Sequence, residues 1–390
     1  MQLGPEHQRL VELAKEVSRG FAEKTAAHDE DASFPSENFD ALREAGLLKL
    51  TVPEAHGGHG LWWGKRYAPF YAVLEAIARN CSVTAQMLQV HSHAVGMVAL
   101  LGSDIGRYME PVVEEGALFA SVGSEASVRA DQPAGFDTLL SPAGDGNFSL
   151  SGFKGFATLA PVARILLIWA LQPGAASTRE GMTFVALPSD RPGIELIDNW
   201  DTFGMRPTVS WALRLKDVMV KPEEIIGAPG DWVSKDPRTF TLGYASNHTG
   251  QAQAVYDFVL DYASKYGGLD KNPVVQIFLA EAGCRISAAR ALVRHAAGLW
   301  EEGDFDNAEL ESMRAMHLAK EAANWISQQA FDICGARSTH KSYPLERLYR
   351  DIRTFTLHFR SESNLFMLAD AALGRPFHSK SRYDRVLAAK

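Results

Sequence analysis

Three segments of the chain combine residue types that chemistry needs. In GFKGFATLA (residues 152–160) an alternating strand puts Lys154, Phe156 and Thr158 on one face. A flat aromatic beside a small hydroxyl suits a planar ring with nitrogens at its edge, although a plain half-buried strand carries the same pattern. In WDTFGMRPTVSWALRLKDVMVKPEEIIG (200–227), Arg206 stands in a glycine–proline loop and could clamp a phosphate or carboxylate bidentately. A solvated surface arginine is the plainer reading. In DICGARSTHKSYPLERLYRDIRTFTLHFRSESN (332–364), Gly335–Thr339 is a small-residue loop at a helix end, where backbone N–H groups can receive phosphate oxygens. Tyr349-Arg350-Asp351 then opens a helix carrying Arg353 and His358. A lone helical histidine is more often a satisfied core group than a catalyst. The same holds for His91 and His93 in QVHSHAVG. Two residues apart on a helix, they diverge by about 200° and cannot chelate one metal, but one of them can face a cavity.

Other chemistries find no support. No GxGxxG follows a strand, no Walker loop is present, and neither HExxH nor paired cysteines occur, so no bound metal is expected. The 390 residues carry 39 Lys+Arg against 47 Asp+Glu, a net charge of −8, which argues against a nucleic-acid partner. Cys81, Cys284 and Cys334 are too few and scattered for a disulfide framework. No apolar run approaches the ~20 residues of a membrane span, and the N-terminus is amphipathic and charged rather than a signal peptide. A reducing cytoplasm is the expected compartment.

The elements that must position these residues read in three blocks. Residues 1–115 are helical: Leu10, Leu13, Ala14 and Val17 keep helical spacing, and the apolar stretch Ala68–Gly102 breaks only around Arg79–Ser82. Residues 116–228 show short β-like runs between breakers, with Asp145-Gly146-Asn147 as a hairpin turn and Ile165–Leu171 as a fully apolar strand. Residues 229–390 return to long helices, one from Pro273 to Glu302 and another from about Ala308 to Cys334. The fold class is α+β, mainly α: an N-terminal helical domain, a central antiparallel β domain and a C-terminal four-helix bundle.

Together the three motif segments resemble the acyl-CoA dehydrogenase superfamily of flavoproteins over essentially the whole chain. LSGFKGFATLA is similar to that family's lysine-x-tryptophan-isoleucine-threonine strand, and YPLERLYRD matches nearly residue for residue. The resemblance implies FAD or FMN as cofactor. Carried over by position, Phe156 packs against the flavin ring and Thr158 hydrogen-bonds its N5 or O4. The backbone of Ser121, Val122 and Ser124 lines the pyrimidine end. In dehydrogenases the loop holding Gly335, Ala336, Arg337 and Ser338 approaches the dinucleotide of a neighbouring subunit, which implies a homotetramer. Arg206 is the remaining candidate for a cofactor phosphate.

Two departures set the expected chemistry. Dehydrogenation of an acyl thioester needs a carboxylate to take the α-proton. The two positions where the family places it hold Phe359 and Phe240, with Glu362 nearby as a substitute. Where dehydrogenases grip the FAD diphosphate, this chain has Lys265-Tyr266-Gly267-Gly268-Leu269-Asp270, which points to FMN or to reduced flavin supplied by a separate reductase. Both departures, with the RTFTLH run, look like the flavin monooxygenase branch of the superfamily (dibenzothiophene monooxygenase-like and p-hydroxyphenylacetate hydroxylase-like). There reduced flavin and oxygen give a C4a-hydroperoxide that must be kept dry. Thr158 and His358 would protect it, and His91 or His93 would assist a small-molecule substrate. The segment FRSESNLFMLADAALG after His358 departs from that branch, which keeps an acyl-CoA dehydrogenase or a divergent non-catalytic relative as alternatives. Trp62, Trp63, Trp211, Phe240 and Phe359 either line the pocket or belong to the core.

Overall fold

The computed structural model describes residues 3–62, 66–125, 136–175, 178–231, 240–358 and 361–377, with backbone alone at 178, 179, 240 and 361–363. Helix α1 (Pro5–Ser18) starts on a proline and buries Leu10, Ala14 and Ser18 one turn apart. Helices α2 (Phe21–Asp31) and α3 (Ser36–Glu44) follow. The apolar stretch becomes α4 (Tyr67–Asn80) and α5 (Ser82–Leu101), split where Cys81 turns extended at φ −154. α5 is buried without a break from Ser82 to Val98, so every polar side chain on it needs an internal partner. The short α6 (Gly106–Glu114) leads into the sheet.

The strands are β1 (Phe119–Val122), β2 (Leu139–Gly144), β3 (Asn147–Ala157), β4 (Ile165–Leu171), β5 (Met182–Pro188), β6 (Ile194–Ile197), β7 (Trp211–Val220) and β8 (Ile225–Ile226); a single turn, α7 (Thr178–Gly181), precedes β5. Their order is β6-β7-β3-β2-β4-β5-β8, with β1 beside β4. Asp145 and Gly146 both take positive φ, at 50 and 77, and close the β2–β3 hairpin at the expected turn. The sheet is mixed rather than purely antiparallel. β1 and β2 both run parallel to β4, Phe119 opposite Ile165 and Leu139 opposite Leu171. Parallel pairing joins strands distant in sequence and leaves no turn signal between them, so the breaker spacing could not show it.

The C-terminal helices are α8 (Phe240–Lys265), α9 (Pro273–Glu302), α10 (Phe305–Cys334), α11 (Leu345–Phe355) and α12 (Ser361–Ala372). Pro273 occupies the first turn of α9, Asn272 caps it by accepting from Val274 N, and Gly303 ends it at φ 83. A second core lies inside the bundle, built on Val255 and Val259 of α8, Phe278 and Ile286 of α9, Ile326 of α10 and Ile352 of α11. α11 opens at Leu345, four residues before Tyr349, and buries Leu345, Ile352 and Phe355, each worth about 1.5–3 kcal/mol. His358 therefore lies past the helix end, in a turn where its N–H donates to Phe355 O at 3.1 Å, and not on the helix.

Candidate functional site

Lys154, Phe156 and Thr158 do not share one strand face: the register against β7 slips between Lys154 and Ala157, and Thr158 lies in the turn past the end of β3. Lys154 is fully buried and its Nζ donates to Glu125 Oε1 at 2.7 Å, while its ammonium lies over the Phe136 ring. Loss of solvation pulls its pKa down to about 8, against the opposing pull of Glu125. Glu125 also accepts from Asp137 N and Thr138 N, the latter at 3.0 Å. Phe156 is 53% exposed, unusual for a phenylalanine in a sheet, and meets Trp200 edge-on at 6.0 Å. Its open surface is what a planar ring would cover.

Thr158 belongs to a chain of hydroxyls whose direction is fixed by counting protons. Thr208 donates to Met205 O at 2.8 Å, and that carbonyl can only accept. The Ser210 proton therefore goes to Thr208 (2.8 Å) and the Thr158 proton to Ser210 (2.7 Å). Thr158 is left as a pure acceptor toward the site. Leu159, Met205 and Val209, three non-glycine residues in these two segments, take positive φ. Such strain persists only where the surroundings impose it, and it marks the loop as built for position.

The loop is fixed to the helices from below. Asp351 of α11 accepts from Met205 N at 2.6 Å, and burial raises its carboxyl to about 6. A Cβ on Gly204 would collide with the backbone carbonyl of Arg350. Arg350 grips both Asp29 oxygens (3.0 and 2.5 Å) and Phe203 O (3.0 Å), joining α2, the loop and α11.

Arg206 does not offer a free guanidinium. Its Nε donates to Asp29 O at 2.7 Å, and one terminal nitrogen reaches Asp201 and Thr202 O. It ties the loop to α2, a role that composition could not distinguish from a phosphate clamp. His91 is likewise a strut: its Nδ1 accepts from Phe119 N at 3.0 Å, its Nε2 donates to Leu48 O at 2.8 Å, and burial holds its pKa down at about 4. His93 projects to another side of α5, edge-on to Trp62 at 5.5 Å, and Gly96 leaves room for that indole.

His358 lies beside Tyr244 (5.2 Å) and Phe355 (5.6 Å), and the buried His248 ring is tilted against Phe355 at 4.7 Å. The His358 side chain is exposed, with the Tyr244 and Phe355 rings beside it. The surrounding protein lowers its pKa to about 4, so the imidazole is neutral at pH 7. The contacts close a circuit: β3 to the 204–210 loop, to α11, to α8 through Tyr244, to α5 where Gly243 abuts Gln89, to β1 through His91, and back to β3 at the Ser124–Phe156 bridge. That circuit frames the candidate site. On β1, Ser121 Oγ accepts from Trp169 Nε1 at 3.2 Å and the Val122 side chain is core, so this strand can offer a ligand its backbone and the exposed Ser124.

Gly335, Ala336, Arg337 and Ser338 lie elsewhere. Gly335–Arg337 are exposed, Ser338 Oγ donates to Gly335 O, and Arg337 lies over Tyr266 just past the end of α8. Tyr266 is some 22 residues, about 33 Å of helix, beyond Tyr244, so this loop does not reach the same pocket within one chain. Phe359 and Trp63, and the side chains of Phe240 and Glu362, lie outside the described residues. Residues the sequence reading passed over are Glu125, Thr208, Ser210 and a set of buried amides on α5 and α8. Two glutamines inside the fully buried stretch of α5 were the available signal. A separate cavity of about 650 Å³ between α1, α4, α8 and α9 is lined by ion pairs such as Arg290–Glu75 and Arg79–Asp257 and by none of the candidate residues above. Among the described residues no cluster of His, Cys, Asp or Glu could hold a metal, and no helix is long and apolar enough to cross a membrane.

The chain matches, in succession, the acyl-CoA dehydrogenase N-terminal domain (residues 4–108), middle domain (120–218) and C-terminal domain (242–362). It is 26% identical over 382 residues to a dibenzothiophene monooxygenase of Mycolicibacterium goodii, covering 90% of each chain. It is 27% identical over 361 residues to a putative acyl-CoA dehydrogenase of Bacillus subtilis, covering 89% of this chain and 92% of that one. The solved structure of FMN-bound TdsC, a dibenzothiophene monooxygenase from Paenibacillus, superposes with a TM-score of 0.86 at 21% identity over 96% of this chain and 100% of that one.

Proposed function

The chain belongs to the acyl-CoA dehydrogenase superfamily, and on that premise we propose that it is a flavin-dependent monooxygenase acting on a small molecule. The observation that supports this best is the make-up of the circuit around Thr158. It offers an open aromatic face, an acceptor-only hydroxyl and a neutral histidine. The described carboxylates around it are all engaged: Glu125 by Lys154, Asp351 by Met205 N, Asp29 by Arg350. At the two positions where dehydrogenation would require a base, the chain carries Phe240 and Phe359.

These residues fit a flavin. Phe156 would lie against the ring, Thr158 would accept from a ring N–H, and the β1 backbone with Ser124 would meet the polar end. Reduced flavin supplies the two electrons that let one atom of O2 enter the substrate while the other leaves as water. The chain's own contribution is to hold that ring and keep water off it, with Phe156, Phe203 and Leu357 presenting apolar surface. His358, neutral at working pH, can take a proton from the substrate or pass one on. Assembly as a homotetramer, with the Gly335–Ser338 loop completing a neighbour's cofactor site, and supply of reduced flavin by a separate reductase follow as parts of the same reading.

Anaerobic addition of butyryl-CoA to the flavin-loaded protein tests it. The monooxygenase reading expects the flavin absorbance to stay oxidised, whereas bleaching would establish the dehydrogenase alternative. Oxygen uptake driven by reduced FMN, with product carrying label from 18O2, is the positive counterpart.

A further inference from the structure

The cavity between α1, α4, α8 and α9 shares no residue with the candidate site, and its charge runs against that of the chain. Five cations line it: Lys15 and Arg19 of α1, Arg79 of α4, and Arg290 and Arg294 of α9. Only two carboxylates do, Glu75 of α4 and Asp257 of α8. The lining is thus positive by three charges in a protein whose net charge is −8.

Both carboxylates are already engaged in one run of contacts along the wall. Arg290 Nε donates to Glu75 Oε1 at 2.5 Å, and Arg290 Nη2 donates to Gln253 Oε1 at 2.9 Å. Gln253 Nε2 donates in turn to Asp257 Oδ1 at 3.0 Å, and Arg79 Nε donates to Asp257 Oδ2 at 2.5 Å. This run holds two guanidiniums in place and leaves both Nη groups of Arg79 and one of Arg290 without a partner among the described residues. Arg19 and Arg294 have no ion pair or side-chain hydrogen bond among those residues. Lys15 holds only the exposed Glu12, a pair of little worth.

The spacing repeats the point. Lys15 and Arg19 stand four residues apart on α1, and Arg290 and Arg294 four apart on α9. Like charges at that spacing destabilise a helix, so each helix carries an unfavourable pair turned to the same space. An anion between them removes that repulsion.

We propose that this cavity binds a small oligophosphate anion, a diphosphate group being the simplest case. The unpartnered guanidinium edges come from three helices, so a ligand that meets them needs at least two anionic groups. Each edge presents the fork that fits two oxygens of one phosphate. A phosphate concentrates up to about two charges on three oxygens, and a diphosphate thereby matches the surplus of three better than separate carboxylates do. The volume of about 650 Å³ falls within the range of small-molecule sites and exceeds what one phosphate ion fills. Bound there, the anion ties α1 and α4 to α8 and α9 and stabilises that junction. The inference uses no residue of the flavin reading and stands apart from it.

Calorimetric titration of the full chain with pyrophosphate at fixed ionic strength tests it. The expected result is one site, at least ~10-fold tighter for pyrophosphate than for sulfate or citrate, and weaker as salt rises. Arg19→Gln and Arg294→Gln should each weaken binding several-fold. Arg314→Gln, at an exposed arginine outside the cavity, should leave it unchanged. Failure of pyrophosphate to bind, equal affinity for sulfate or citrate, or cavity variants that lose no more than Arg314→Gln would overturn the proposal. Competition with ADP separates the sources of such a group. Displacement of pyrophosphate at equal or lower concentration assigns the site to a nucleotide, and no displacement assigns it to the free anion; both keep an oligophosphate site. Thermal melting without ligand gives an independent reading. Arg19→Gln and Arg294→Gln relieve repulsion and should not lower the melting temperature, whereas a fall in both would make these arginines part of the fold and end the proposal.

Discussion

Lys154 and Glu125 form a buried ion pair, 2.7 Å apart, two residues before the exposed Phe156. The pair anchors β3 to the residues that follow β1, because Glu125 also receives the backbone N–H groups of Asp137 and Thr138. Glu125→Gln should cost about 3–5 kcal/mol in chemical denaturation, since it strands a buried ammonium. Adding Lys154→Met should recover most of that loss. A single variant as stable as the parent would show that the pair is not buried in solution.

His91 and His358 should separate cleanly. His91→Phe leaves Phe119 N–H and Leu48 C=O buried without partners, and about 2–5 kcal/mol of stability should go. His358→Ala should leave the melting temperature close to the parent's and lower turnover about 10²-fold. Because the His358 pKa lies near 4, the acid limb of the activity profile should fall well below 6.5. A limb at 6.5 would contradict the crevice environment.

Acid stability carries opposing signatures in one window. For His91 the folded pKa of about 4 is below the unfolded value near 6.5, so its stabilising contribution is whole above 6.5 and is lost as pH falls toward 4. For Asp351 the folded pKa of about 6 is above the unfolded value near 3.9, so its contribution is whole below 3.9 and is lost as pH rises through 6. The difference for Asp351 is of order 2–3 kcal/mol. Asp351→Asn keeps an acceptor for Met205 N and should be relatively more stable at pH 7 than at pH 4 when compared with the parent. An identical pH dependence in both proteins would remove that assignment.

Ser210→Ala should alter the redox preference of flavin binding. It frees the Thr158 proton, turning an acceptor into a donor, so the ratio of FMN to FMNH2 dissociation constants should fall by several-fold. Ser210→Thr keeps the relay and should keep the ratio. A ratio unmoved by the alanine variant would show that Thr158 does not face the ring nitrogen.

The three-block architecture was legible because it rests on local signals: helical spacing around Leu10 and Ala14, the Asp145-Gly146 turn, and Pro273 and Gly303 bounding α9. What local signals do not encode was missed. The parallel pairing of β1 with β4 and the use of Arg206 and His91 as struts depend on partners far away in sequence. The alternation expected along 152–160 is broken by the register slip between Lys154 and Ala157, and the proton direction in the Thr158–Ser210–Thr208 chain depends on one carbonyl, Met205 O, that only the folded loop supplies.

Anaerobic titration of the purified chain with FMNH2 and, separately, with FMN, each followed to saturation, tests the central claim most directly. Saturable binding of both, with the reduced form tighter and weakened in Thr158→Val, is the expected result. Failure of either form to saturate the chain, or identical binding by Thr158→Val, would contradict a flavin seated against this strand.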